Sequence, residues 1–178
     1  MCKQQHKKAV DKSVFPGLQG GPHENVIAAK AIAFKEALEP EFKTYAQQIK
    51  RNAKVLETEF LQRHYRLMYC GTDNHLLLVD LTNKHVSGGQ AEKALDEAGI
   101  TVNKNAIPDD VRPPLDPSGI RLGTPALTTR GMKEEEMKQI ADWMDQAITH
   151  YDQPQTLETI RLQVKEMTDR FPLYPNLK

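Results

Sequence analysis

Arg121 interrupts a short apolar run, Ile120-Arg121-Leu122, within the stretch Ser118 to Gly131, and Gly123 and Pro125 close that run. An arginine between β-prone apolar residues is expected to be withheld from water. Its fork of donors then calls for a planar anion, most naturally a carboxylate. That carboxylate belongs either to an Asp or Glu of the same chain, the commoner arrangement, or to a ligand.

Three other segments carry groups suited to binding. Gly20-Gly21-Pro22 runs into a helical segment, where glycines let the backbone approach a ligand and N–H groups at the helix start favour an anion such as phosphate. It is also an ordinary turn sequence. The Lys-Ser/Thr of a P-loop and the preceding strand of a dinucleotide-binding signature are both missing. Asn103-Lys104-Asn105 offers amide donors and acceptors that suit either a heterocycle edge or the capping of a turn. His75 is placed as a base or as a hydrogen-bonded strand histidine. No Ser/His/Asp or Cys/His arrangement and no metal-spaced cluster of His, Asp or Glu accompanies them. The chain therefore holds binding groups without a nucleophile, a proton-transfer group or a metal site.

The elements that must position these groups follow from periodicity. Glu24 to Leu38 reads as a helix with Val26, Ile27, Ala31, Phe34 and Leu38 on one side, ended by Pro40. A second helix is expected from Glu41 to about Arg63, with Phe42, Tyr45, Ile49, Ala53, Leu56 and Phe60 forming a buried stripe. Tyr65 to Cys70 and His75 to Leu81 read as strands around the turn Gly71-Thr72-Asp73-Asn74. Ser87 and Gln90 form a capping box for a helix closing at Gly99, and Ile100 to Asn103 is expected as a short strand. Ala106 to Pro117, with its four prolines, is an irregular loop of a length often tied to function. Two more amphipathic helices follow, one through Met137, Ile140, Ala141, Met144 and Ile148, the other through Leu157, Ile160, Val164, Met167 and Phe171. The fold class is α/β, a few-stranded sheet packed with helices.

The 178 residues carry 24 Lys+Arg and 24 Asp+Glu, a formal charge of zero. That balance argues against a nucleic-acid partner. No apolar run is long enough for a bilayer, and the N-terminal residues lack the apolar core of a secretory signal. Cys2 and Cys70 are too few for a disulfide framework, so a reducing cytoplasm is the expected compartment.

Four stretches, in this order, resemble serine hydroxymethyltransferase, a pyridoxal-phosphate family of the aspartate-aminotransferase fold type (fold-type I). They are Val14 to Pro22 (VFPGLQGGP), Gly71 to Leu76 (GTDNHL), Thr101 to Asn105 (TVNKN) and Ser118 to Gly131 (SGIRLGTPALTTRG), and the resemblance runs from about residue 9 to Tyr174. It implies that Arg121 grips the carboxylate of serine or glycine, and that Gly20 and Gly21 reach the phosphate of pyridoxal 5'-phosphate across a homodimer interface. It further implies that Asn105 binds the pterin ring of tetrahydrofolate, with Pro113, Pro114 and Leu115 lining the same site. The family's serine–glycine interconversion passes a one-carbon unit to tetrahydrofolate, with the cofactor as electron sink.

Two departures stand out. Asn25 occupies the place of a usual family histidine. The Thr-rich segment with the family's Schiff-base lysine is absent from the sequence. Met1-Cys2-Lys3 aligns with the strand after it, and Lys30, Lys35 and Lys104 are not in a context to replace it. The resemblance reads residues 1–41 as the end of the large cofactor-binding domain and residues 42–178 as the C-terminal small domain. The isolated chain is then expected to be inactive. The alternative is a non-catalytic folate- or amino-acid-binding or docking module, or a truncated gene product.

Overall fold

The computed structural model of the chain describes residues 1–173. Its helices are α1 (Lys7–Lys12), α2 (Glu24–Ala37), α3 (Pro40–Gln62), α4 (Gly88–Glu97), α5 (Pro125–Thr129), α6 (Glu134–Thr149) and α7 (Pro154–Arg170). Its strands are β1 (Arg66–Leu67), β2 (Leu76–Asp80), β3 (Asn103–Asn105) and β4 (Gly119–Gly123). Tyr174, where the family resemblance ends, lies outside the described residues. The chain divides into two units, Met1–Lys43 and Thr44–Lys178.

In the first unit, Gln4–His6, α1 and the segment Ser13–Leu18, kinked at Phe15 and Pro16, lead through the Gly20-Gly21-Pro22 loop into α2. No residue of α2 is buried, and Ile27, Ile32, Phe34 and Leu38 stand in solvent. Met1 to Lys3, which the resemblance aligns with a strand of the family, form no strand. A strand without neighbours has no ladder to complete.

The second unit is two-layered. The sheet order is β1-β2-β4-β3, with every pairing antiparallel. Leu77 and Val79 of β2 and Ile120 and Leu122 of β4 project from one face into the core. There they meet Ala53, Leu56 and Phe60 of α3, Ala91, Ala94 and Leu95 of α4, and the buried stripes of α6 and α7. The helices are held at their ends by local chemistry. At α4 the Gln90 N–H donates to Ser87 Oγ (3.1 Å) while the Ser87 N–H donates back to Gln90 Oε1 (2.9 Å), closing the expected capping box. At α6 three glutamates occupy the first turn, where they complement the helix dipole. None of the helices is long and apolar enough to cross a membrane, among the described residues.

Three strand boundaries differ from the sequence reading. Tyr65 to Cys70 pairs only at Arg66–Leu67, because Tyr69 and Cys70 turn to φ of +57° and +59° and leave the sheet. The expected strand Ile100 to Asn103 pairs only from Asn103 onward. The Ile100 N–H is spent on Leu95 O (2.7 Å) in closing α4, so the ladder starts later and continues through Lys104 and Asn105. β2 is shorter at both ends, Leu76–Asp80.

Candidate functional site

Alternation along β4 decides where Arg121 goes. Ile120 and Leu122 are buried in the core, so Arg121 between them emerges on the opposite face of the sheet. The expectation that it is withheld from water is therefore corrected: Arg121 is exposed. Among the described residues it forms no ion pair and no side-chain hydrogen bond, so no carboxylate of its own chain there serves as its partner.

Arg121 opens into a hollow of about 420 Å³, walled by Lys54 of α3, the turn Met68 to Asn74, and Leu76 and Leu78 of β2. The turn is shaped from beneath by Glu57. Its Oε2 accepts the Thr72 N–H (2.8 Å) and the Lys54 ammonium (2.8 Å). Gly71 sits at φ +139°, and a Cβ there would fall 2.6 Å from the Glu57 carboxyl carbon, so only glycine allows the turn to close on this carboxylate. Asn74 then hands the chain into β2, its Oδ1 accepting the Leu76 N–H (2.8 Å). The result leaves Tyr69 85% exposed at the rim and sets two cationic side chains, Arg121 and Lys54, around one concavity. Asp73 lines it too, without reaching Arg121. His75, exposed at the start of β2, contributes its carbonyl to Thr124 N (3.2 Å) rather than a buried imidazole.

The Asn103–Asn105 segment lies on the other flank of β4. Asn103 pairs with Arg121 and Asn105 with Gly119, so period-two alternation brings Asn103, Asn105 and Arg121 to one face. Asn105 Nδ2 donates to Ala106 O (2.7 Å), a local cap of the kind anticipated for these residues. The loop from Ala106 to Pro117 folds back over the end of this face. Ile107 packs on Gly119, where a Cβ would lie 2.7 Å from Ile107 Cγ2. Pro113, Pro114 and Leu115 are exposed at the loop's outer edge, Leu115 at 86%. Asp116 fastens that edge to α4 by accepting the Gly89 N–H (3.2 Å), and Arg112 donates to it (3.0 Å). The Ser87 hydroxyl, working against desolvation and joined by these donors, keeps the Asp116 carboxyl below its usual range.

The far end of β4 is locked to α3. Thr124 Oγ1 donates to Ile49 O (2.8 Å). Asn52, fully buried, donates from Nδ2 to Thr128 Oγ1 (2.9 Å) and Met132 O (3.0 Å) and accepts from Gln48 Nε2 (2.8 Å). In the first unit, Gly20 and Gly21 are exposed, with no atom within 4 Å of where a Cβ would stand. Asn25 is exposed on the first turn of α2. Sequence reasoning singled out Arg121 and Asn105 but not Lys54, Glu57 or Asn52. These sit at polar positions of a helix read as a solvated face, and no local signal separates them from its other polar residues.

The second unit is thus a helix-backed antiparallel α/β unit in which Arg121, without a carboxylate partner among the described residues, lies beside the amide-bearing edge strand β3. Residues 2–144 match the family model described as serine hydroxymethyltransferase. The serine hydroxymethyltransferase of Acidobacterium capsulatum is 58% identical over 174 residues, 98% of this chain and 41% of that protein. That of Koribacter versatilis is 54% identical over 175 residues, with the same shares covered. The chain belongs to the serine hydroxymethyltransferase family of fold-type I pyridoxal-phosphate transferases. It spans 41% of the length of these relatives and corresponds to their C-terminal portion.

Proposed function

We propose that this chain supplies the substrate-carboxylate and folate-binding part of a serine hydroxymethyltransferase, which interconverts serine and glycine with transfer of a one-carbon unit to tetrahydrofolate. The observation that carries the reading is Arg121, exposed in a hollow and without a carboxylate partner among the described residues. Its planar fork suits the two oxygens of an amino-acid carboxylate. Asn105 presents an amide on the same sheet face for the pterin ring. Pro113, Pro114 and Leu115 offer an apolar border for the rest of the folate.

The open backbone at Gly20 and Gly21, ahead of a 14-residue helix, fits the phosphate of pyridoxal phosphate as a donor set. In the family's homodimer that cofactor is the one bound by the partner subunit. When bound, pyridoxal phosphate supplies an electron sink for cleavage at the amino-acid α-carbon. What this chain's own residues do is orient the carboxylate and border the folate. The lysine that holds the cofactor covalently in the family has no counterpart in these residues, and the compartment we assign is the cytoplasm.

Calorimetric titration of the purified chain with glycine and with tetrahydrofolate tests the assignment. Saturable binding of both is expected, with Arg121→Ala removing the glycine signal alone. Absence of both signals from a folded chain overturns it.

A further inference from the structure

The loop from Ala106 to Pro117 is tied shut by one side chain. Asp110 Oδ2 accepts the backbone N–H groups of Ile107 (3.2 Å) and Ser118 (2.9 Å), while Oδ1 accepts the Arg112 N–H (2.9 Å) and the Ser118 hydroxyl (2.6 Å). Those donors come from the loop's beginning, middle and end, so a single carboxylate closes it into a ring. The ring closes at Ser118, which is 1% exposed and directly precedes β4. Ile107, one of the clasped residues, is also the one that packs over Gly119 opposite Asn105. Partial desolvation opposes ionisation of Asp110, but the donors from Ser118, Arg112 and Ile107 outweigh it and hold the carboxyl well below the usual range. By contrast, Pro113, Pro114 and Leu115 at the outer edge are exposed. A loop with a tightly bonded interior and a bare apolar edge has already lost the conformational freedom that a ligand would otherwise have to remove.

From this geometry we infer that Asp110 is a positioning residue, which builds the folate-bordering loop before folate arrives and sets its distance from Asn105 without touching the ligand. The inference rests on the folate reading proposed above and deepens it. Removing the clasp frees the loop edge while leaving β4, and hence Arg121, in place. Folate affinity falls and glycine affinity does not.

The test compares the wild-type chain with Asp110→Asn, in which one acceptor oxygen becomes a donor facing two donors, and with Ser118→Ala, which deletes only the hydroxyl. Backbone amide exchange and titrations with glycine and tetrahydrofolate are measured on each. The expected result for D110N is exchange at Ile107, Arg112 and Ser118 faster by about tenfold or more, with α6 and β2 amides unchanged. Tetrahydrofolate binding weakens by about tenfold or more while glycine binding stays within about twofold, and S118A shows the same pattern to a smaller degree. If D110N does not fold, S118A carries the comparison. Wild-type folate affinity retained in a variant whose loop amides have been freed overturns the positioning role, as does unchanged exchange at those amides. A folded wild-type chain that binds no tetrahydrofolate overturns the folate reading itself and this role with it.

Discussion

Asn103 stands directly opposite Arg121 in the antiparallel pairing of β3 with β4. That one register contact places the candidate folate residue, Asn105, on the same sheet face as the candidate carboxylate clamp. A slip of one residue in β3 would move Asn103 and Asn105 to the helix-covered face and break the site without touching Arg121. The facing of β4 is fixed by the core side: Ile120 and Leu122 are buried, so Arg121 points out.

Ile107 Cγ2 at 2.7 Å and the carbonyl oxygens of Val79 at 2.8 Å and Asn105 at 2.9 Å from the place of a Gly119 Cβ make that glycine a steric requirement. Gly119→Ala is expected to push the loop off the sheet, costing about 1–3 kcal/mol of stability and exposing Asn105 further. Chemical denaturation together with amide exchange at the loop checks this. Wild-type stability with a wild-type loop would contradict the packing described.

Asn52 is buried with its amide hydrogens and its carbonyl oxygen all engaged, joining α3 to the segment that follows β4. Asn52→Ala leaves the Met132 carbonyl and Gln48 amide without this partner and is expected to destabilise the second unit by about 1–3 kcal/mol. Denaturant unfolding measures it. A loss below about 0.5 kcal/mol would show that the lock contributes little.

The Asp110 clasp has a pH signature. Its carboxyl is depressed in the folded state, so its contribution is fully present above the unfolded value of about 3.9 and is lost only as pH falls through the lower folded value. Carbon-detected NMR titration should place the Asp110 midpoint below that of free aspartate. A midpoint at or above the free value contradicts the four-donor arrangement.

The sequence contains no lysine in the context that holds pyridoxal phosphate in the family. Serine incubated with the 178-residue chain, pyridoxal phosphate and tetrahydrofolate is expected to yield no glycine above the protein-free rate. Sustained turnover abolished by Arg121→Ala would contradict this and would assign the chemistry to residues within this chain.

Much of the second unit was legible because its signals are local. The Ser87–Gln90 capping box, the stripes of α6 and α7, and the alternation around Arg121 each follow from spacing alone. The expected buried stripe of α3 is buried only at Ala53, Leu56 and Phe60, with Tyr45 and Ile49 half-buried and Phe42 exposed. What escaped was tertiary. The fate of Arg121 depended on which face of β4 packs on the core, and alternation says only that it differs from Ile120, not which of the two is buried. Tyr69 and Cys70 look like strand residues, yet Glu57, distant in sequence, draws the chain through Gly71 and turns them out. Asp110 sits among prolines and a second aspartate, where nothing local distinguishes a residue that gathers donors from Ile107, Arg112 and Ser118.

The central claim is that Arg121 holds an amino-acid carboxylate, and its own Nε–H resonance reports on that most directly. Titrating the labelled chain with glycine should shift the Arg121 Nε–H signal saturably, while glycinamide, which lacks the carboxylate, leaves it in place. An Arg121 signal that ignores glycine, or that responds equally to glycinamide, would contradict the account.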